Sequence, residues 1–394
     1  MLSSNIIFKN FKIKNFNLNQ KKKISKILKN LLNEKNEILN SLDSSYKNSY
    51  SKSFLLKLKK FKRFKRFKLI GMGGSILGAR AIYNFLSPKI KNFFFFDNFS
   101  YNSKMKLNLK KKNLNLIISK SGNTLETITN SNVLINNQET NIFITENKKS
   151  YLMDLANQMK SEVVHHNNFI GGRYSVLSEV GMLPAELMGF KPSNFRKLND
   201  LIKSKSFLNS LVQNVSNILS LNKSGKSNSI ILNYDERSND LIYWYQQLVA
   251  ESLGKKSKGI LPIISNMPTD NHSVMQYYLD GVKNHFFTFF FTAEKSLLKI
   301  KNNRLLKSHY YLKNRNLNDI SYSQYIATVK VLDKKKIPFR SFMIKKRSEE
   351  ILGELFIFFI LETILLGRAM KINPFDQPSV ELIKKETKKV LINF

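Results

Sequence analysis

Cysteine is absent from the 394 residues, and acidic side chains are few: 28 Asp plus Glu stand against 65 Lys plus Arg. The first absence removes cysteine nucleophiles, thiolate metal sites and disulfide staples. None is needed for stability, because a chain of this length buries roughly 75% of the surface it exposes when unfolded. No HExxH or paired-Asp spacing offers a metal site, so no metal is expected. Long apolar runs are missing too. The stretch from Ile351 to Leu366 is interrupted by Glu354 and Glu362 and falls short of the roughly 20 residues a bilayer span requires, which predicts a buried or interface helix. The N-terminal residues break each apolar stretch with Lys or Asn, leaving no signal-peptide h-region, so a cytoplasmic protein without a membrane partner is expected.

The scarcity of acid leaves a formal charge of +37. Such a balance ordinarily points to nucleic acid. Here the lysines are spread through nearly every segment alongside Asn, Ile and Phe, without a clustered basic and aromatic surface. No specific nucleic-acid partner is therefore expected, while the positive field should still draw in small anions.

Residues 1–60 are rich in Lys and Asn with Leu and Ile at helical spacing, and predict an N-terminal helical arm of one or two surface helices. From Phe67 the pattern changes to short apolar runs, each followed by a polar or glycine turn and a helical stretch: FKLIGMGG, NFFFFDN, NLNLIISKSGNT, TNIFITEN. These βα units imply an α/β fold with a parallel sheet covered on both faces. After a helical region around 195–222 the same grammar resumes with SNSIILN, DLIYWYQQLVAESLG and GILPII, then NHFFTFFFT and IPFRSFMI, with helices at 347–367 and 378–391. Two doubly wound parallel-sheet domains with flanking helices are expected, at 61–192 and 193–394.

Two loops stand out. Gly71-Met72-Gly73-Gly74-Ser75-Ile76-Leu77-Gly78 follows a predicted strand and opens a helix, where backbone amides can face an anion. A dinucleotide fingerprint would need glycine where Ile76 stands, so that reading is disfavoured. Ser119-Lys120-Ser121-Gly122-Asn123-Thr124 ends another strand and opens another helix, with hydroxyls able to clasp phosphate oxygens. The plainer alternatives are a tight βα turn for the first and Ser/Thr helix capping for the second.

GMGGSILG, SKSGNTLET, GGRYSVLSEVG, ESLGK, PTDNHSVMQYYLDG and FDQPSVELIKK occur in the order seen in the glucose-6-phosphate isomerase family, and over roughly residues 66–391 the chain resembles that family in a shortened form. The resemblance implies two sugar-isomerase (SIS) domains and an aldose-ketose isomerisation of D-glucose 6-phosphate and D-fructose 6-phosphate, through ring opening and a cis-enediol(ate), a reaction that demands no metal or redox cofactor. By resemblance Glu251 shuttles the C1/C2 proton, His272 and Lys384 serve ring opening, and Arg173 stabilises the enediolate oxygen. Lys385 is one position from Lys384, and helical spacing lets only one of them face the site. By resemblance Ser119, Ser121 and Thr124 would hold the phosphate with Lys120 adding a backbone amide and charge, Gln247 would stand on the phosphate side, Gln377 would contact a substrate hydroxyl, and Gly74 and Ser75 would also line the substrate and phosphate site. The family pattern also implies a homodimer in which His272 reaches the neighbouring subunit's site. With trimmed termini, the dimer would lean on apolar helices such as 351–366.

The SGNT loop is closer to generic SIS loops, including those of dual-specificity phosphoglucose/phosphomannose isomerases, whereas Gln377 and ESLGK favour the stricter family. A non-catalytic sugar-phosphate sensor is the other alternative, although a sensor would not need Glu251, His272 and Lys384 together. His165, His166, His285 and His309 match no motif and are read as structural.

Overall fold

The computed structural model describes residues 4–12, 18–88, 92–99, 113–136, 138–294 and 298–394. Among the described residues ten strands form two sheets: β1 (Ile6–Lys9), β2 (Arg66–Gly71), β3 (Asn92–Phe96), β4 (Leu114–Ile118), β5 (Thr140–Thr145), β6 (Glu162–His165), β7 (Asn228–Asn233), β8 (Leu261–Asn266), β9 (His285–Thr292) and β10 (Phe339–Ile344). The first sheet has the order β3-β2-β4-β5-β6 and is parallel throughout. The second has the order β1-β10-β9-β7-β8; four of its strands are parallel and β1 runs antiparallel along its edge. Strands such as LNLII and HFFTFFFT are buried on both faces, as parallel strands sandwiched by helices must be.

The N-terminal segment differs from the expectation of surface helices. Ile6 pairs with Ile344 and Phe8 with Phe342, so β1 extends the second sheet. A four-residue run flanked by Lys and Asn carries too little periodicity to be distinguished from a helical piece. The helices that follow, Leu18–Asn33, Glu37–Ser41 and Lys52–Phe61, bury Ile24, Leu28, Leu31, Phe54 and Leu58.

The long apolar run forms the helix Glu349–Ala369, in which every residue from Ile351 to Gly367 is buried within this one chain. It therefore cannot offer the face to a second copy that sequence reasoning assigned to it; a helix apolar all round is a core helix. Among the described residues no helix is long and apolar enough to cross a membrane.

Glu362 lies inside this core because Arg340 of β10 meets it there. Both side chains are fully buried and in direct contact. Tyr245 Oη donates to Glu362 Oε1 at 2.8 Å, Arg340 Nε donates to Thr288 Oγ1 at 3.0 Å, and Arg340 Nη1 donates to Asn214 Oδ1 at 2.9 Å. The pair thus joins β9 and β10 to three helices, and its lone pairs and protons are met, as a buried ion pair requires.

Removing one partner would strand the other charge. Glu362→Ala is expected to lower unfolding stability by about 3–5 kcal/mol, read as a fall in the urea midpoint; an unchanged midpoint would contradict the assigned role.

Candidate active site

Gly71 at the end of β2 lies opposite Ile118 at the end of β4, so the glycine loop and the serine loop leave the same sheet edge side by side. This is the carboxyl edge, where open α/β sheets bind ligands. The glycine loop makes one 3-10 turn, Gly73–Ser75, before the helix Leu77–Leu86. A Cβ on Gly74 would lie 2.2 Å from the Gly172 carbonyl carbon and oxygen and 2.6 Å from the Arg173 amide nitrogen. At Gly73, whose φ is +52°, it would meet Gln247 Nε2 at 2.5 Å. Bare backbone at these two positions lets the loop press against both the Arg173 turn and the Gln247 helix.

In the serine loop, Ser119 Oγ and Thr124 Oγ1 share a hydrogen bond of 2.8 Å. Ser121 Oγ accepts from the Asn123 amide at 3.2 Å, and Lys120 Nζ donates to the Asn168 carbonyl at 2.9 Å. Thr124 occupies the N-cap position of the helix Leu125–Leu134, yet its side chain makes no capping hydrogen bond. Its hydroxyl is turned to Ser119 instead, which sets aside simple capping by Thr124 as the reason for this loop.

Arg173 stands next to these loops in the turn Gly172–Leu177 and is 3% exposed. Its Nε donates to Ser252 Oγ at 2.9 Å, and its Nη2 to the carbonyls of Pro374 at 2.8 Å and Asp376 at 2.9 Å. Its Nη1 is shared between Glu251 Oε2 at 3.2 Å and Gln377 Oε1. Five contacts match the five N–H donors of a guanidinium. Tyr174 Oη donates to the Pro374 carbonyl at 3.1 Å, which leaves Ser252 to donate to Tyr174 across 2.8 Å. Burial raises the Tyr174 phenol above its usual range, so it stays a proton donor at neutral pH.

Glu251 lies near the end of the helix Asn239–Leu253, which packs on the helix after the glycine loop and on the buried helix Glu349–Ala369. Gln247, one turn earlier, donates from Nε2 to Glu251 Oε1 at 3.0 Å. Glu251 is thus held at both oxygens while its side chain stays 27% exposed. Gln247 Oε1 is buried and has no hydrogen-bond partner, as expected of an acceptor that serves a ligand group. A carboxylate with a fixed cation on one side and two hydroxyl- and amide-rich loops close by can move a proton on an anionic substrate.

Of the residues singled out from sequence, Gly74, Gln247, Glu251, Arg173 and Gln377 form one connected cluster. Ser75 lies in the adjoining glycine loop, and Ser119, Lys120, Ser121 and Thr124 lie in the neighbouring serine loop. Among the described residues neither His272 nor Lys384 is hydrogen-bonded to the cluster. His272 closes the exposed turn Thr269–His272, which Asp270 braces by accepting from Ser265 Oγ at 2.7 Å and the Asn266 amide at 2.8 Å. Lys384 is on the helix Pro378–Ile392, which buries none of its residues; its Nζ donates to Glu381 Oε1 at 2.6 Å. That bond holds the Glu381 carboxyl below its usual range.

Ser252 and Tyr174 were not singled out from sequence, although both sit inside quoted motifs, ESLGK and GGRYS. Their contribution depends on which way two hydroxyls point, and sequence does not encode that. The expectation of structural histidines has clear counterparts in His166, whose Nδ1 meets Glu179 Oε1 at 2.8 Å, and His285, whose Nε2 meets the Tyr278 carbonyl at 3.0 Å.

A family model described as phosphoglucose isomerase matches residues 19–393. The glucose-6-phosphate isomerase of Methanocaldococcus jannaschii is 32% identical over 344 residues, covering 80% of this chain and 82% of its own. Among solved structures, a hypothetical protein of Thermus thermophilus superposes with a TM-score of 0.79 at 23% identity, covering 94% of each chain. A glucose-6-phosphate isomerase of Chlamydia trachomatis gives 0.71 at 18% identity, covering 95% of this chain and 84% of that one. These two likenesses are of fold.

The Gly74 contact is testable from both of its sides. Gly74→Ala drives a methyl group into backbone and should cost about 1–3 kcal/mol. A Cβ on Gly172 meets nothing closer than 4.0 Å, so Gly172→Ala should cost less than about 0.5 kcal/mol. Thermal unfolding of both variants checks the contrast, and equal midpoints would contradict it.

Proposed function

This chain belongs to the phosphoglucose isomerase family, and we propose that it interconverts D-glucose 6-phosphate and D-fructose 6-phosphate at the cluster of Glu251, Arg173, Gln247 and Gln377. The observation that carries the reading is Glu251, fixed between Gln247 and Arg173 and adjoining the paired glycine and serine loops. The substrate phosphate sits on those loops, at Gly74, Ser75, Ser119, Lys120, Ser121 and Thr124. Entry of its oxygens replaces the Ser119–Thr124 bond with charge-assisted ones.

Glu251 takes the proton from C2 of the open aldose and returns it to C1 through a cis-enediol(ate), while the O2 hydroxyl proton passes to O1, giving the ketose. Arg173 faces the oxygen on which negative charge grows. All its N–H groups are engaged within the chain, so the developing oxyanion competes for the Nη1 edge shared by Glu251 and Gln377. Because the other nitrogens stay pinned by Ser252, Pro374 and Asp376, the guanidinium need not move to receive it. Charge stabilisation by a group already in place requires no reorganisation during the reaction.

His272 and Lys384 serve ring opening. Because both lie outside the cluster on exposed segments, we take the working form to be a homodimer in which His272 completes the neighbour's site. The exposed apolar side chains of the terminal helix, among them Leu382 and Ile383, are the surface for that association in place of the buried helix Glu349–Ala369. The setting is cytoplasmic, the positive charge draws in the anionic substrate, and neither nucleic acid nor membrane is a partner.

A coupled isomerase assay on the purified protein tests the reaction. Glu251→Gln should lower kcat on the order of 10²–10⁴-fold with substrate affinity kept in calorimetry; wild-type turnover in the variant would overturn the role of Glu251. Mixing Glu251→Gln with His272→Ala subunits should restore roughly a quarter of wild-type activity, since a mixed two-fold dimer rebuilds one intact site. No recovery from subunits shown to exchange would refute the shared site.

A further inference from the structure

Gln377 reaches Arg173 from a short strap, residues 373–377, joining the buried helix Glu349–Ala369 to the exposed helix Pro378–Ile392. Apolar contact holds this strap at two residues, Pro374, which is buried, and Phe375, whose ring packs on Tyr174 at 5.7 Å. Polar tethers supply the rest of its hold. From one side Arg173 and Tyr174 grip the carbonyls of Pro374 and Asp376. From the other side comes Lys255, four residues beyond Glu251, just past the Gly254 cap of the same helix.

Lys255 Nζ donates to the Asn373 carbonyl at 2.5 Å, to the Asp376 carbonyl at 2.6 Å and to Asp376 Oδ1 at 2.6 Å. An ammonium has three donors, and all three are spent on the strap. The Lys255 side chain is 11% exposed, well covered for a lysine. Its hydrogen bond holds the Asp376 carboxyl below its usual range. Asn373 closes the loop by donating to Asp376 Oδ2 at 3.1 Å and accepting from the Phe375 amide at 3.0 Å.

We propose that Lys255 is a positioning residue for the isomerisation, tying the end of the Glu251 helix to the strap so that the proton-transfer base and Gln377 keep a fixed separation. The inference rests on the site assignment above. It differs from a role in general stability because the strap is peripheral to the core and because Lys255 joins the two chain segments that flank Arg173. Without it the strap is held from one side, and local opening of an exposed segment with few remaining bonds is inexpensive. Misplacing a substrate-facing group by about 1 Å can cost roughly 100-fold in rate. The phosphate cradle lies on other loops, so the effect should fall on kcat.

The test compares Lys255→Met, Lys255→Arg, Gln377→Ala and the double variant Lys255→Met/Gln377→Ala in the coupled assay, with thermal midpoints measured alongside. Lys255→Met should lower kcat about 10- to 100-fold with KM changed less than about threefold and the midpoint nearly unmoved, and Lys255→Arg should recover most of the loss. Hydrogen exchange should rise at 373–380 and nowhere in the sheets. In the Gln377→Ala background, Lys255→Met should add little, because both act through one contact. Near wild-type turnover in Lys255→Met, or a full multiplicative loss in the double variant, overturns the inference. Full activity in Gln377→Ala would instead strike at the site assignment, so the two failures are told apart.

Discussion

The arrangement depends on one guanidinium. Arg173 is buried beside the carboxyl edge of the first sheet, and its five donors reach two separate stretches of chain: the last turn of the helix bearing Glu251 and Ser252, and the 373–377 strap. A buried cation must find acceptors or it costs several kcal/mol. The residues that satisfy this one also put a base, an amide and a positive charge within a few ångströms of each other. Stability and function thus draw on the same set of hydrogen bonds.

The two sheets make that convergence possible in complementary ways. The first sheet supplies adjoining loops from β2 and β4 and, further along the chain, the turn bearing Arg173. The second half supplies the helix bearing Glu251 and Gln247 and the strap bearing Gln377. They meet where glycine lets the loop press against the Gln247 side chain, at Gly73, and where the helix Asn239–Leu253 packs against the helix after the glycine loop. The buried Arg340–Glu362 pair stiffens the second sheet against the same core helix. The site is therefore a property of the seam between the halves.

Much of this was legible before any coordinates, and the reasons are specific. Alternation of apolar runs with helical stretches marked eight of the strands, because parallel strands are buried on both faces and read as continuous hydrophobic runs. IIFK and EVVH escaped because four residues carry almost no period. Gln247 and Glu251 stand four residues apart in DLIYWYQQLVAESLG, a spacing that puts them on one helix face, and they do hydrogen-bond. The helix 351–366 was read as buried or interface because its composition suits either, and packing, which alone distinguishes them, makes it a core helix. Ser252, Tyr174 and Lys255 went unmarked since their value lies in the direction of hydroxyl and ammonium bonds made to residues about 80 to 200 positions away.

Whether the fork geometry of Arg173, and not merely a positive charge, organises the site can be measured directly with Arg173→Lys. The substitution keeps the charge but cannot reach Ser252, Glu251, Gln377 and the two strap carbonyls at once. Steady-state kinetics on folded variant should show kcat reduced by about 10²–10³-fold with the thermal midpoint also lowered. Turnover within a few-fold of wild type would show that charge alone suffices, and would contradict the account.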